Sequence, residues 1–259
     1  MIFRIILSTA IVQMRQSIAR PMYRFCLFMN PIINSILLYE MFLNSGKTNF
    51  QLYVILSSGL MTIWSCICFS SIGDIQRERY MGTLSYIFLS PIGFGKVILG
   101  KIFGNTILAF FSIILTFSSV RILFGLNFEI ENLGLFILTI PMLVVCFSVI
   151  SIFVSYALTI SRKTNLYMNV VEIPVTLLCG FIFPTDVLPK YLLPVSYALP
   201  PTWAVKIMYQ VVEGVFIRKD FYTNLLVLVI EVVLYAFLAY FLQIYIQNKV
   251  RISATLEVC

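Results

Sequence analysis

Long apolar segments dominate this chain and limit what it can fold into. Few charged side chains interrupt the stretches 22–43, 51–72, 97–120, 133–158, 166–183 and 223–246. A helix needs about 20 predominantly apolar residues to cross a bilayer. Only 11% of the 259 residues are charged, whereas a soluble domain carries roughly 25%. The sequence therefore predicts an all-α integral membrane protein with six transmembrane helices, forming one domain over residues 1–259.

Basic residues predict how these spans are oriented, because Lys and Arg collect on cytoplasmic loops. If six helices cross the membrane, twelve of the 18 basic residues fall on the side that holds both termini, and six fall on the other. We therefore expect a multi-pass protein of the plasma membrane with both termini in the cytoplasm. The same bias explains the net charge of +7, so that charge does not indicate a nucleic-acid partner.

Two further segments suit the membrane surface rather than its interior. Residues 1–20 place Ile2, Ile5 and Thr9 at helical spacing with arginines elsewhere, which predicts an amphipathic helix in the interface plane. Residues 184–206 are rich in proline, and their apolar runs are too short to cross a bilayer. We expect them to form an external re-entrant helical hairpin before the last span, anchored at the interface by aromatic residues.

A charged interruption separates the second span from the third. We expect Gly73 to end one helix and Asp74 to cap the next. Gly82 and Thr83 can break that helix and restart it, with Thr83 as the new cap. The prediction is a short amphipathic helix over residues 74–90, parallel to the membrane. It is either a solvated loop held by its apolar residues or a coupling helix that docks into a groove of a soluble ATPase.

Nothing in the sequence indicates catalysis. The chain contains no histidine, which removes the commonest general base and metal ligand. No Gly-x-x-x-x-Gly-Lys-Ser/Thr run is present to hold nucleotide phosphates. The six cysteines have neither zinc nor disulfide-framework spacing. We therefore expect a protein that is not an enzyme and holds no metal or cofactor of its own.

Two motifs resemble a known family, the type-2 ABC exporter permeases. The first is Gln76-Arg77-Glu78-Arg79-Tyr80-Met81-Gly82-Thr83-Leu84, followed by Leu89-Ser90-Pro91 and Gly100-Lys101. The second is Phe183-Pro184 with Leu188-Pro189, then Leu199-Pro200-Pro201-Thr202-Trp203-Ala204. Together with the six-span layout, the resemblance covers essentially the whole chain. Ser85 departs from the pattern, because many relatives carry an acid after Gly-Thr-Leu, and this puts one ATPase contact in doubt.

The resemblance implies a half-transporter. Two permease subunits, identical or homologous, would pair in the bilayer, and separate cytosolic ATP-binding cassette subunits would bind ATP and magnesium. Residues 1–20 would be the helix along the inner membrane face. The ATPase contacts would comprise a coupling helix and a second, smaller cytoplasmic contact; the residues implied are Arg77, Glu78, Arg79, Gly82, Thr83, Leu84, Arg162 and Lys163.

Substrate would move outward along the dimer interface, where this family uses the first, second and fifth spans. Ser58, Thr62 and Ser65 fall on one face of the second span, which suits helix packing or a substrate-lining face. Asn34 in the first span and Glu172 in the fifth are the other candidates. A carboxylate within a span must be protonated, paired or turned toward a polar cavity.

Several functions remain open at this stage. The leading hypothesis is a bacterial exporter of an amphipathic drug, antibiotic or peptide. A polysaccharide or glycolipid exporter is the nearer alternative, although residues 1–20 lack the basic-aromatic pattern expected of those relatives. A membrane anchor or immunity subunit would share the fold without transporting. A secondary carrier would normally show repeated halves, and no strong internal repeat is evident.

Overall fold

The computed structural model describes residues 2–43, 50–90, 93–125, 133–159, 164–212 and 218–253, and these ranges contain helices but no strand. The helices, in chain order, are α1 Ile2–Ala19, α2 Pro21–Leu43, α3 Phe50–Ile67, α4 Gly73–Tyr80, α5 Leu84–Leu89, α6 Phe94–Phe124, α7 Leu133–Thr159, α8 Thr164–Leu178, α9 Leu193–Tyr197, α10 Pro200–Val212 and α11 Arg218–Ser253. The all-α membrane architecture expected from the sequence is confirmed.

Within the described ranges, five helices are long and apolar enough to cross a membrane: Pro21–Leu43, Phe50–Tyr80, Phe94–Phe124, Gly134–Leu158 and Asp220–Lys249. The predicted fifth span, 166–183, coincides with α8, which has 15 residues and ends at Leu178. Its end is set by Gly180, which takes the left-handed conformation at φ +78°. A helix of this length falls short of the roughly 20 residues that a full crossing needs, so the six-span count stays a prediction.

Helix α3 forms the centre of the bundle. Trp64 is fully buried, and its ring packs against those of Phe147 and Phe181, with centroids 6.0 and 6.4 Å away. By contrast, α11 exposes most of its apolar side chains, including Val233 and Phe237. A helix that is apolar on nearly all sides yet exposed suits contact with lipid rather than water. The bundle therefore places α3 inside and α11 at the lipid boundary.

Helix α3 does not end at Gly73, so that prediction is wrong. A π-helical turn, Cys68–Ile72, joins α3 to α4 without a break. Gly73 has φ −68° and ψ −20°, which are ordinary right-handed helical values. A π-turn closes i→i+5 hydrogen bonds and therefore accommodates an extra residue inside a continuing helix. Asp74 consequently lies inside the helix and is not its N-cap.

The break at Gly82 is confirmed, and its geometry is a Schellman motif. The amide of Gly82 donates to the carbonyl of Arg79 (3.1 Å), and the amide of Thr83 donates to that of Glu78 (2.9 Å). Gly82 lies at φ +68°, where a side chain is strained. Thr83 precedes α5 but makes no capping hydrogen bond to it. The predicted coupling helix 74–90 is therefore two short helices, α4 and α5, joined at a sharp corner.

The segment 184–206 lies at the opposite end of α3 from α4. It contains a 3₁₀ turn, Thr185–Val187, then α9 and α10, and α10 continues to Val212, past the predicted end of the hairpin. The hydroxyl of Tyr209 in α10 lies 2.8 Å from that of Ser57, in the first half of α3, whereas α4 follows the last turn of α3. This arrangement puts the charged segment and the proline-rich segment at opposite ends of the bundle.

Candidate functional site: the junction of α1, α4 and α6

Helix α1 packs closely against α6 because two glycines remove the side chains between them. A Cβ placed on Gly104 would lie 2.6 Å from the carbonyl oxygen of Ala10, and one on Gly100 would lie 2.9 Å from Thr9 Cβ. Both distances are shorter than real contacts allow. Gly100 and Gly104 form a Gly-x-x-x-Gly pattern, which lets helices approach closely in membranes. The sequence contains this signal, but the predictions above did not use it.

The buried and exposed faces of α1 carry different types of side chain. Ala10, Gln13 and Ser17 are buried against the protein, whereas Leu7 and Val12 are about half exposed. The small and uncharged polar side chains thus meet the rest of the chain, and the outward side combines large apolar side chains with the exposed residues Arg4 and Arg15. An outward apolar face is stable where it meets lipid. The helix predicted for residues 1–20 is therefore present as Ile2–Ala19, with its small uncharged polar side chains against α6, and its place in the interface plane stays a prediction.

Asp74 is the hub that joins α1, α4 and α6. It is 4% exposed. Its Oδ1 accepts from the guanidinium of Arg77 at 2.5 Å and lies 3.3 Å from that of Arg20. Its Oδ2 accepts from the side-chain amides of Asn105, at 3.0 Å, and Gln13. Because a buried charge must be paired and hydrogen-bonded, this carboxylate holds all three helices together.

A second layer of polar contacts supports the hub. The hydroxyl of Ser17 donates to Asn105 Oδ1 at 2.8 Å, which orients the amide of Asn105 toward Asp74. Burial lowers the pKa of the Arg20 guanidinium, and the adjacent Asp74 carboxylate opposes that effect. Arginine nevertheless remains charged at any physiological pH. The hub is thus one carboxylate between two guanidinium groups.

Glu78, one turn further along α4, ties the corner at Gly82 to α6. Its carboxylate accepts from Lys101 on one oxygen and from the hydroxyl of Thr83 on the other. Lys101 is 9% exposed as a residue, so this ion pair is largely shielded from water. Because this ion pair is partly buried, solvent screens its attraction less than it screens a fully exposed pair. The pair fixes the position of α5 relative to α6.

The predicted ATPase-contacting residues therefore separate into different environments. Arg77 and Glu78 make ion pairs inside the subunit, and Leu84 is 2% exposed in a cluster with Ile75 and Phe94. Arg79 is partly exposed and Gly82 is exposed. Arg162 and Lys163 lie outside the described residues. The side chains most exposed on α4, α5 and their connection are instead apolar or aromatic: Tyr80 at 91%, Met81 at 65%, Tyr86 at 75% and Leu89 at 81%.

Four of the five predicted pathway residues, all except Ser58, lie along a polar seam between α2, α3 and α8. The side-chain amide of Asn34 donates to Thr62 Oγ1 at 3.3 Å, and that of Asn30 donates to Ser65 Oγ at 3.0 Å. Ser65 also hydrogen-bonds the carboxyl group of Glu172. Ser58 is fully buried and donates to the carbonyl of Val54 within its own helix, so it is not part of this seam.

The family assignment follows from a comparison that covers most of the chain. The sequence model of the ABC-2 type transporter family matches residues 6–212, a range that includes the Asp74 hub, the corner at Gly82 and the polar seam. The chain belongs to the ABC-2 type transporter family. No curated protein gives a significant match.

Membership in the ABC-2 family fixes the coarse function. The chain is the membrane permease component of an ABC transporter, a multi-pass protein of the lipid bilayer that works with an ATP-binding cassette partner. A permease component of this kind transports and is generally not catalytic. The residues described here contain no group of three or more His, Cys, Asp or Glu side chains that could hold a metal ion.

Proposed function

We propose that this permease is half of an ATP-driven exporter that moves an amphipathic drug, antibiotic or peptide out of a bacterial cell. Two permeases, identical or homologous, would pair in the plasma membrane with their termini in the cytoplasm. Separate ATPase subunits would bind ATP and magnesium and supply the motion. The observation that carries this proposal is the Asp74 hub, because it connects the predicted ATPase-facing segment to two helices of the membrane domain.

The ATPase would dock on the exposed side chains of α4, α5 and their connection, namely Tyr80, Met81, Tyr86 and Leu89. A group of large apolar side chains that are 65–91% exposed is typical of a surface that contacts a partner when the side chains form one patch. Interfaces are also enriched in Tyr and Met. Arg77 and Glu78 are committed to pairs within the subunit, so their role would be to hold the docking surface in place. Arg79 would add a charged contact, and Arg162 with Lys163 a second, smaller one.

Motion would pass from this surface to the membrane as a rigid-body displacement. The Schellman corner at Gly82 fixes the angle between α4 and α5, and the Glu78–Lys101 pair fixes that corner against α6. Asp74 then links α4 to α1 through Gln13 and Arg20. Since packed helices move as units rather than deform continuously, a push on α4 would move α1 and α6 together. That movement would open the pathway alternately to each side.

The polar seam would line the pathway. Asn34, Thr62, Ser65 and Glu172 come from the three helices that this family is expected to use, and they form two polar pairs, Asn34 with Thr62 and Ser65 with Glu172. Intramembrane polar and ionisable residues commonly mark substrate routes. Glu172 would bind a cationic group on the substrate. Ser58 would act by allowing close helix packing rather than by touching the substrate.

Transport into inverted membrane vesicles tests the proposal. Vesicles that contain the permease and its ATPase should accumulate a fluorescent amphipathic cation when ATP and magnesium are added. Glu172→Gln should lower the uptake rate by about tenfold, as expected for one charge-assisted contact. Glu40→Gln is the matched control, because Glu40 is an exposed carboxylate in α2. A complex that binds ATPase but drives no uptake of cationic, neutral or peptide probes would be an anchor and would contradict the proposal.

A further inference from the structure

A cleft of about 340 Å³ opens beside the hub, between α1, α5 and the first half of α6. Its walls include Thr9, Val12 and Gln16 from α1 and the Glu78–Lys101 ion pair from the coupling segment and α6. Binding pockets for small ligands start at about 300 Å³. The cleft is therefore large enough for a small ligand group, and it presents one anionic and one cationic side chain next to each other.

Gln13 supplies a second and independent indication of a ligand. It is 1% exposed and lines the cleft. Its Nε2 donates to Asp74 and lies 3.3 Å from both Ser17 Oγ and Asn105 Oδ1, whereas its Oε1 has no hydrogen-bond partner among the described residues. A buried acceptor without a donor costs about 1–3 kcal/mol. A hydrogen-bond donor bound in the cleft could satisfy this oxygen after a small rotation of the amide.

We propose that this cleft binds the headgroup of a phosphatidylethanolamine molecule of the inner leaflet. The phosphate would lie against Lys101, and the primary ammonium would donate to Glu78 and Gln13. The headgroup would thus lie antiparallel to the Glu78–Lys101 pair, so that each charge meets its opposite. Val12 at the rim is 54% exposed, and Leu7 on the same helix is 46% exposed, which gives the acyl chains an apolar surface.

The proposal rests on the position of α1 and the coupling segment at the cytoplasmic membrane surface, as given under the proposed function. It adds that a lipid completes the junction between them. A lipid in this cleft would contact α1 directly. It would also contact α4 next to the Gly82 corner, through Glu78, and α6, through Lys101. Lipid composition would then influence how firmly the ATPase-facing segment is held.

The chemistry of the headgroup provides the test. Ethanolamine has three N–H donors, whereas choline has methyl groups instead and cannot donate to Glu78 or Gln13. The intact complex of permease and ATPase is purified from nanodiscs that contain equal amounts of dioleoyl-phosphatidylethanolamine and dioleoyl-phosphatidylcholine. Retained lipid is then identified by native mass spectrometry. We expect about tenfold enrichment of the ethanolamine lipid, as one charge-assisted hydrogen bond would give.

Val12→Trp should abolish the enrichment by filling the cleft. Ile11→Trp is the matched control, since Ile11 is a similarly exposed neighbour on α1 that does not line the cleft, and it should retain the enrichment. Both substitutions lie on the exposed face of α1 and leave the buried hub untouched. ATPase stoichiometry and uptake, measured on the same samples, separate failure of this inference from failure of the proposed function.

Four results would overturn the inference. One is equal retention of the two lipids, and another is enrichment that survives Val12→Trp. The third is retention of phosphatidylglycerol as strongly as phosphatidylethanolamine when the nanodiscs contain both lipids, which would mean that only the charge of Lys101 matters. The last is exclusion of the lipid from the cleft by an ATPase side chain in the intact complex.

Discussion

Replacing Asp74 by Asn should uncouple α1 from α4 while leaving the shape of the side chain unchanged. Oδ1 of the carboxylate faces the guanidinium groups of Arg20 and Arg77, and Oδ2 faces the side-chain amides of Gln13 and Asn105. An asparagine must put its NH₂ group on one of these sides. Whichever way it turns, a donor then faces donors, and both arginines lose their counter-charge.

The magnitude follows from the burial of the group. Removing one partner of a buried ion pair costs about 3–5 kcal/mol. The side chains of Arg20 and Arg77 are 19% and 30% exposed, so they regain some water, and the lower end of the range, about 3 kcal/mol, is the expected loss. For a chain of this length that loss corresponds to a drop in melting temperature of roughly 6–12 °C.

Two measurements on detergent-purified protein check this prediction: the melting temperature, and the amount of ATPase that co-purifies. Asp74→Asn should lower both. Asp186→Asn is the control, because Asp186 is an exposed carboxylate near the other end of the bundle and should change stability by no more than about 0.5 kcal/mol. If the two variants melt within 2 °C of each other, on the scale of that control, the argument that Asp74 holds the junction is wrong.

Three further predictions concern single positions. Gly104→Val should weaken the packing of α1 on α6 and lower the melting temperature, because any Cβ there meets the backbone of Ala10. The control, Gly59→Ala, lies in a helix with nothing within 4 Å of the new Cβ, so it should leave the melting temperature unchanged or raise it slightly. If Gly59→Ala lowers the melting temperature more than Gly104→Val does, the close approach of α1 to α6 is refuted. Gly82→Ala should cost about 1–2 kcal/mol at φ +68°, whereas Gly82→Asn should cost less because Asn tolerates that region; equal thermal shifts would contradict the left-handed corner. Tyr209→Phe should lower the melting temperature by the loss of about one hydrogen bond, because the hydroxyl of Tyr209 pairs with Ser57. The control is Tyr222→Phe, because Tyr222 is exposed. An equal change in melting temperature for the two variants would exclude the pairing.

The sequence predicts the architecture well where apolar length decides it. All five candidate spanning helices overlap predicted stretches, namely 22–43, 51–72, 97–120, 133–158 and 223–246, because burial in lipid requires long apolar helices. The corner at Gly82 was also predictable, since glycine favours the left-handed conformation that ends a helix. The continuous π-turn through Cys68–Ile72 was not, because its residues carry no distinctive pattern.

The candidate site was harder to predict because its contacts are distant in sequence. Gln13 and Asn105 lie 61 and 31 positions from Asp74, so the local pattern suggested an N-cap rather than a buried hub. Glu78 and Lys101 are 23 positions apart, and both belong to the resembling motifs without any sign that they pair. Gly100 and Gly104 were the available clue that α1 packs against α6.

The central claim is that α4 and α5 present the surface that the ATPase contacts. A photo-crosslinking amino acid introduced at Tyr86 tests this most directly, with Tyr191 as the control, since the two side chains are 75% and 77% exposed and belong to the segments at opposite ends of α3. On irradiation of the intact complex in membranes, position 86 should crosslink to the ATPase and position 191 should not. Crosslinking at 191 instead of 86, or at neither position while the ATPase remains bound, would contradict the account.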